Sequence, residues 1–189
     1  MEEDRGLGAA ALCVINRNGE TYLGQTLRAA LGSGFRFCEH ILVDDDSSDG
    51  SVRLVERDFP SFRVVRTGAC IGPAGARNLG FASTGAERVL FLDNDVALGE
   101  GAAGLLCRAL DEDQQAVLAM PRILYAAAPG TIQYDGAACH FSGLMTLVHQ
   151  GLPAAETGRE TRRIDSIVTA CFLVDRRRWG GEPLFDDSF

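Results

Sequence analysis

Arg88-Val89-Leu90-Phe91-Leu92-Asp93-Asn94-Asp95 is a largely apolar run that ends abruptly in carboxylates. Its apolar part predicts a buried strand. In an open α/β sheet, ligands bind beyond the carboxyl ends of the strands, which is where Asp93 and Asp95 would stand. Two carboxylates two residues apart in an extended or turning segment reach one small volume. Both ionised, they repel unless a cation lies between them, and hard divalent ions such as Mg2+ or Mn2+ take oxygen ligands. Mg2+ is commonly held by one or two carboxylates together with substrate phosphates. The stretch therefore points to a cation–diphosphate site, with a solvated acidic turn as the plainer reading.

The chain before this stretch alternates strand and helix. Ala9-Ala10-Ala11-Leu12-Cys13-Val14-Ile15 reads as a first strand buried on both faces, and Asn16-Arg17-Asn18-Gly19 as the turn that ends it. Leu23, Leu27 and Leu31 recur at four-residue spacing, the apolar stripe of a helix that stops at Gly32-Ser33-Gly34. Ile41-Leu42-Val43 is a second strand, followed at once by Asp44-Asp45-Asp46-Ser47-Ser48-Asp49-Gly50-Ser51. The last residues of that run offer caps to a short helix carrying Val52 and Val55. Phe62-Arg63-Val64-Val65 is a third strand. Gly72-Pro73-Ala74-Gly75-Ala76-Arg77-Asn78-Leu79-Gly80 reads as a loop running into a helix, with small residues that permit close backbone approach. It fits neither the phosphate-binding P-loop nor the Gly-x-Gly-x-x-Gly fingerprint after a first strand.

Arg88–Leu92 is then the fourth strand, and Ala102, Leu105, Leu106, Ala109 and Leu110 mark an amphipathic helix. This alternation predicts an α/β fold with a mostly parallel central sheet covered on both faces. Further on, Ala116-Val117-Leu118-Ala119-Met120 and residues 164–174 read as strands, and residues 131–141 hold another. No internal repeat or low-complexity linker divides the chain, so residues 1–189 are expected to form one domain.

Composition sets the outer bounds. A chain of 189 residues, 46% of them hydrophobic, suffices for one core. No apolar run reaches the roughly 18 residues of a membrane span, and Met1-Glu2-Glu3-Asp4-Arg5 is too acidic for a signal peptide. A cytoplasmic protein is expected. A formal charge of −8 argues against nucleic acid as a partner, though not against a nucleotide whose phosphates a cation screens. All 18 basic residues are Arg, which reads as coding bias. The six cysteines are scattered with no Cys-x-x-Cys pair, so no zinc site is expected, and Cys13 and Cys171 read as buried thiols. His40, His140 and His149 show no metal-ligand spacing.

Three stretches, in order, resemble family 2 glycosyltransferases. Val43-Asp44-Asp45-Asp46-Ser47-Ser48-Asp49-Gly50-Ser51 is similar to that family's Val-Asp-Asp/Asn-x-Ser-x-Asp-Gly-Ser, Gly75-Ala76-Arg77-Asn78-Leu79-Gly80 to its helix with Arg-Asn-x-Gly, and Phe91-Leu92-Asp93-Asn94-Asp95 to its metal-binding Asp-x-Asp. The likeness covers about residues 10–100 and continues through Ala170-Cys171-Phe172-Leu173-Val174 and Leu184-Phe185-Asp186-Asp187-Ser188-Phe189. It implies a GT-A fold, nucleotide-diphospho-sugar transferase-like and Rossmann-like. By the same resemblance, Asn18, Asp44, Asp45, Arg77, Asp93 and Asn94 bind the donor nucleotide, and Asp95 with Asp93 holds a divalent cation, Mg2+ or Mn2+. Asp45 would accept from the imide N–H of the base, which suits uracil or thymine.

The implied reaction is transfer of a sugar, of hexosyl or rhamnosyl type, from a UDP- or dTDP-sugar to a hydroxyl with inversion. The acceptor would be a glycan, a lipid-linked glycan or a small molecule, in polysaccharide biosynthesis. The likeness also leaves room for peripheral association of the parent protein with the inner face of the membrane. Plainer employment exists for the same residues: Asp44 to Asp46 as a turn and helix cap, and Arg77 as an ion-pair partner.

Departures from the family pattern are informative. The family's first strand often ends in Tyr-Asn where Arg17-Asn18 stands, and Thr169 takes a place usually held by Gly. The family's Glu-Asp pair, whose Asp is the general base, follows the Phe-Asp-Glu-x-Phe run, so the base is expected beyond Phe189 and the C-terminal part of the domain to be missing. The alternative is a non-catalytic nucleotide-sugar-binding module or inactive fragment, with Leu184, Phe185 and Phe189 left exposed. A sugar-nucleotide pyrophosphorylase would need a Gly-rich basic loop after the first strand. A phosphatase would carry Asp-x-Asp after the first strand rather than the fourth.

Overall fold

The computed structural model describes residues 10–181 and 183–188. Four strands, β1 (Ala10–Asn16), β2 (Glu39–Asp44), β3 (Arg63–Arg66) and β4 (Arg88–Asp93), run parallel in the order β3-β2-β1-β4. The two-residue β5 (Leu118–Ala119) forms the far edge of the same sheet. Between β4 and β5 lies β10 (Cys171–Asp175), antiparallel to both. The mostly parallel α/β sheet expected from the strand–helix alternation is the sheet observed.

Parallel neighbours need crossovers, and α1 (Leu23–Leu31), α2 (Ser51–Asp58) and α3 (Gly72–Ala82) supply them. Alternation along β1 sorts the core into two layers. Leu12 and Val14 face Leu27 of α1, Val55 of α2 and Leu110 of α4 (Ala102–Glu112). Cys13 and Ile15 face Ala76 and Phe81 of α3, with Phe91 and Phe172 stacked beside them at 5.0 Å. Burial pushes the thiols of Cys13 and Cys171 up to about 12, and all six cysteines are unbridged.

The α1 stripe differs from expectation in one residue. Leu23 and Leu27 are buried, but Leu31 is exposed and Ala30 occupies the core position. At 100° per residue, position 31 stands about 80° from position 23, whereas position 30 returns to within about 20° of it.

The second half is more broken than its sequence suggests. Of the Ala116–Met120 run only Leu118 and Ala119 enter the sheet, just before Pro121, which has no N–H to donate. Of residues 164–174, only those from Cys171 on form a strand, and Ser166 makes an isolated bridge to Ala137. Residues 131–141 are two strands rather than one. β7 (Ala128–Tyr134) pairs with β6 (Ile123–Tyr125), and β8 (Ala137–Cys139) with β9 (Met145–Leu147). The break falls at Gly136, whose φ of +136° other residues avoid. There the Asp135 carboxylate turns onto Arg122, Arg162 and His149.

The apolar end is covered, contrary to expectation. Leu184 is buried, and Phe185 packs against the α3-side layer. Phe189 lies outside the described residues. Among the described residues no helix is long and apolar enough to cross a membrane.

The seating of α3 on the sheet depends on Gly80. A Cβ added there would sit 2.4 Å from Cys13 Sγ and 3.1 Å from Val43 Cγ2. Gly80→Val is expected to cost about 1–3 kcal/mol in urea unfolding, the range for overpacking a core. Gly85→Ala, where an added Cβ meets nothing within 4 Å, should stay within about 0.5 kcal/mol of the parent. Equal losses at the two positions would show that α3 does not lean on β1 at Gly80.

Candidate functional site

Register brings three strand ends level. Asn16 of β1 pairs with Asp44 of β2, and Ile15 of β1 pairs with Asp93 of β4. The antiparallel β10 enters from the other direction, so the residues preceding it reach the same edge. The Asp93 N–H donates to the Ala170 carbonyl at 2.9 Å.

Asn16 is fully buried and lies at the centre of this edge. Its Nδ2 lies 2.9 Å from Asp44 Oδ1, 3.1 Å from Ser47 Oγ and 3.0 Å from Ser51 Oγ. Its Oδ1 accepts from Asn94 Nδ2 at 2.9 Å. One amide thus fastens the loop after β2, the start of α2 and the Asp-x-Asp turn to the end of β1. Sequence reasoning assigned Asn16 to a turn and singled out Asn18 instead. The signal that would have found it is its place as the first polar residue after an apolar strand.

Asn18 is exposed, with φ of +50°, and works on the neighbouring loop. Its Oδ1 accepts from the Ser48 N–H at 2.8 Å, and its own N–H donates to Ser47 Oγ at 2.9 Å. Asn94 is half-buried, and its carbonyl accepts from Thr26 Oγ1 at 2.8 Å.

The two leading aspartates are committed within the protein. Asp44 Oδ1 accepts from Asn16 and, at 2.6 Å, from Ser47 Oγ, while Oδ2 accepts from the Ser47 N–H at 3.1 Å. Asp45 is 3% exposed and accepts from the Ile71 N–H at 2.8 Å and the Gly72 N–H at 3.0 Å. A carboxylate on the first free N–H groups of α3 both satisfies them and complements the positive end of the helix dipole. That contact explains why the helix begins at Gly72 itself, with the preceding loop ending at Ile71. Thr67 Oγ1 and Cys70 Sγ approach the same carboxylate at 3.3 and 3.5 Å, and the exposed Arg17 guanidinium touches Cys70.

Arg77 is 5% exposed and reaches from α3 to the end of β4. Its Nη2 pairs with Asp93 Oδ1 at 2.5 Å and donates to the Thr169 carbonyl at 3.1 Å; Nη1 donates to the Pro73 carbonyl at 3.1 Å. Its Nε is buried without a partner among the described residues. The Asp93 carboxyl is pushed up to about 6, first by burial and further by Asp95, with the Arg77 charge pulling the other way. Asp95 is exposed, and no protein group among the described residues pairs with it. Tyr134, which sequence reasoning did not single out, is buried on β7, and burial with the nearby charges of Asp93, Cys171 and Asp95 pushes its phenol up to about 12.

The donor set suits a hard cation in one specific way. No group of three His, Cys, Asp or Glu side chains converges among the described residues. Asp95 and Asp93 Oδ2 have no hydrogen-bond partner among the described residues, and two is the number of carboxylates Mg2+ takes when phosphates and water complete its shell. A groove of about 1290 Å3 between α4, the β5 edge and residues 158–167 contains none of these side chains.

A model of glycosyl transferase family 2 matches residues 11–176. An uncharacterized glycosyltransferase of Haemophilus influenzae is 33% identical over 81 residues, which are 41% of this chain and 32% of that protein. Residues 1–349 of S. aureus TarS, solved with UDP-GlcNAc, superpose with a TM-score of 0.53 at 23% identity, over 68% of this chain and 39% of that one. GalNAc-T7, solved with UDP, GalNAc and Mn2+, superposes with a TM-score of 0.75 at 17% identity, over 93% of this chain and 37% of that one. The chain therefore spans about a third to two fifths of the length of these proteins. The two structural likenesses speak to the fold, which is GT-A. With a family model matched along most of its length, this protein belongs to glycosyl transferase family 2.

Proposed function

We propose that this protein works as a glycosyltransferase that moves a sugar from a nucleotide-diphosphate donor to a hydroxyl acceptor, with inversion, a uridine or thymidine nucleotide and a divalent cation. The observation that carries this reading is the asymmetry at the end of β4. Asp93 is half-buried and paired with Arg77, while Asp95 beside it is exposed and has no protein partner among the described residues. The bound nucleotides and Mn2+ of the structural relatives belong to those proteins, and here they support the choice of ligand.

Asp95 and the free oxygen of Asp93 would hold the cation. When bound, the cation supplies Lewis-acid stabilisation to a departing diphosphate. Arg77 presents a fixed cationic fork at the same edge, paired with Asp93, where its charge favours a phosphate. Asp45 already receives two backbone N–H groups, yet a carboxylate offers about four lone-pair sites. A base imide N–H would take the place now approached by Thr67 and Cys70. Inversion requires the acceptor hydroxyl to be deprotonated on the face opposite the leaving diphosphate. We assign that base to no described residue.

Calorimetric titration of UDP with Mn2+ tests the reading. The protein should bind UDP in a cation-dependent way, and Asp95→Ala should weaken that binding at least tenfold with the unfolding temperature unchanged, because the side chain is exposed and has no partner among the described residues. Unchanged binding in Asp95→Ala would remove Asp95 from the site.

Asp93 also gives the cation-free protein a pH signature. A carboxyl raised to about 6 in the folded state holds its proton more tightly there than in the unfolded chain, where it titrates near 4. Its contribution to stability is full below the unfolded value and is lost as pH rises through the folded one. The difference in unfolding temperature between wild type and Asp93→Asn should therefore turn against the wild type between about pH 4 and 6, as followed by circular dichroism. A constant difference across that window would show that Asp93 is ionised throughout.

A further inference from the structure

Asn78 follows Arg77 on α3, about 100° further round the helix. Its side-chain amide is fully engaged by a segment distant in sequence. Nδ2 donates to the Phe185 carbonyl at 2.8 Å, and the Phe185 N–H donates to Oδ1 at 2.9 Å. These reciprocal bonds mimic one rung of a β-ladder, with the amide standing in for a backbone strand. The second amide proton is directed to Asp187 Oδ2 at 3.1 Å. A carboxylate at position 78 would lose both donors and face Asp187, and an alanine would lose the contact entirely.

What the rung holds in place is the Phe185 ring. Its centroid is 5.8 Å from Arg77 Cζ, and it meets Phe172 edge-on at 6.0 Å. Phe172 in turn stacks on Phe91 of β4. The ring therefore bridges the sheet core and the guanidinium whose Nε is buried and unpartnered. An aromatic face there attracts the cation and keeps water from the guanidinium side of the Arg77–Asp93 pair, and a drier setting strengthens the pair. Without the ring, water would hydrate Nε and the guanidinium would gain freedom to leave Asp93.

Building on the donor site described above, we propose that Asn78 is a positioning residue for donor binding. It clamps the backbone of Phe185 so that the ring seals Arg77 against Asp93 in the geometry that meets the nucleotide. Asn78 itself touches no donor atom, and its effect passes through Phe185. The clamp also accounts for the burial of Leu184, which the same segment carries against α3.

The test uses Asn78→Ala, Phe185→Leu and the double variant, with two readouts. Hydrogen exchange at the Phe185 N–H needs no ligand: it should quicken at least tenfold in Asn78→Ala and stay slow in Phe185→Leu, where the rung persists without the ring. Affinity for UDP with Mn2+ should fall about tenfold in each single variant and no further in the double variant, the non-additivity of residues that act through one contact. Unchanged exchange in Asn78→Ala would overturn the clamp. Wild-type affinity in Phe185→Leu, or losses that add in the double variant, would overturn the positioning role. Absence of UDP binding by the wild type would instead remove the donor reading, while the exchange result still decides the clamp. Phe185→Leu keeps an apolar side chain in place, so the test stands even where Asn78→Ala fails to fold.

Discussion

The carboxyl edge of this sheet depends on one buried amide, that of Asn16. Parallel strands bring loops together but do not join them, because their ends point the same way and the connections leave in different directions. A buried polar group has to find partners inside the protein, and Asn16 finds them in Asp44, Ser47, Ser51 and Asn94 at once. The loop after β2 and the Asp-x-Asp turn after β4 are thereby held in a fixed relation on either side of β1. Replacing the amide by an apolar group would remove several of these contacts at once rather than one.

On that frame the charges divide into two kinds. Asp44 is spent on a turn, while Asp45 holds the start of α3 and keeps lone-pair sites for a further donor. Holding the start of α3 also fixes Arg77, one turn further along the helix. Arg77 reaches Asp93 on the neighbouring strand, and Phe185 closes over the pair from outside. Asp95 is left exposed beside them, with no protein partner among the described residues. The layout resembles a scaffold of satisfied groups around a small unsatisfied remainder, and it is the remainder that has chemistry to offer.

Much of this could be read from the residues. β1 to β4 announce themselves as short apolar runs, and their polar ends fall where the register places them. The acidic cluster and Asp-x-Asp stand out because they differ sharply from the apolar runs before them, and Arg77 through the resemblance of its helix to Arg-Asn-x-Gly. What escaped depended on distances that periodicity does not encode. Asn16 and Asn18 are both polar residues in one turn, and only strand pairing shows that Asn16 ends β1 while Asn18 leaves it. Leu31 looked like a stripe residue because four-residue spacing drifts around a helix by about 40° each time. Residues 131–141 read as one strand because the break at Gly136 is set by Asp135 meeting arginines from separate segments. The cover over Arg77 could not be foreseen, since Asn78 and Phe185 lie far apart in sequence.

The central claim is that a nucleotide and a cation meet at the edge formed by Asn16, Asp93, Asp95 and Thr169. Paramagnetic broadening by Mn2+ in the amide spectrum, recorded with UDP present, addresses it directly. The reading predicts broadening first at residues 93–96, at Asn16 and at Thr169 and Ala170, with the Asp135 cluster unaffected. Broadening centred on Asp135 and His149, or spread evenly over the acidic surface, would contradict it.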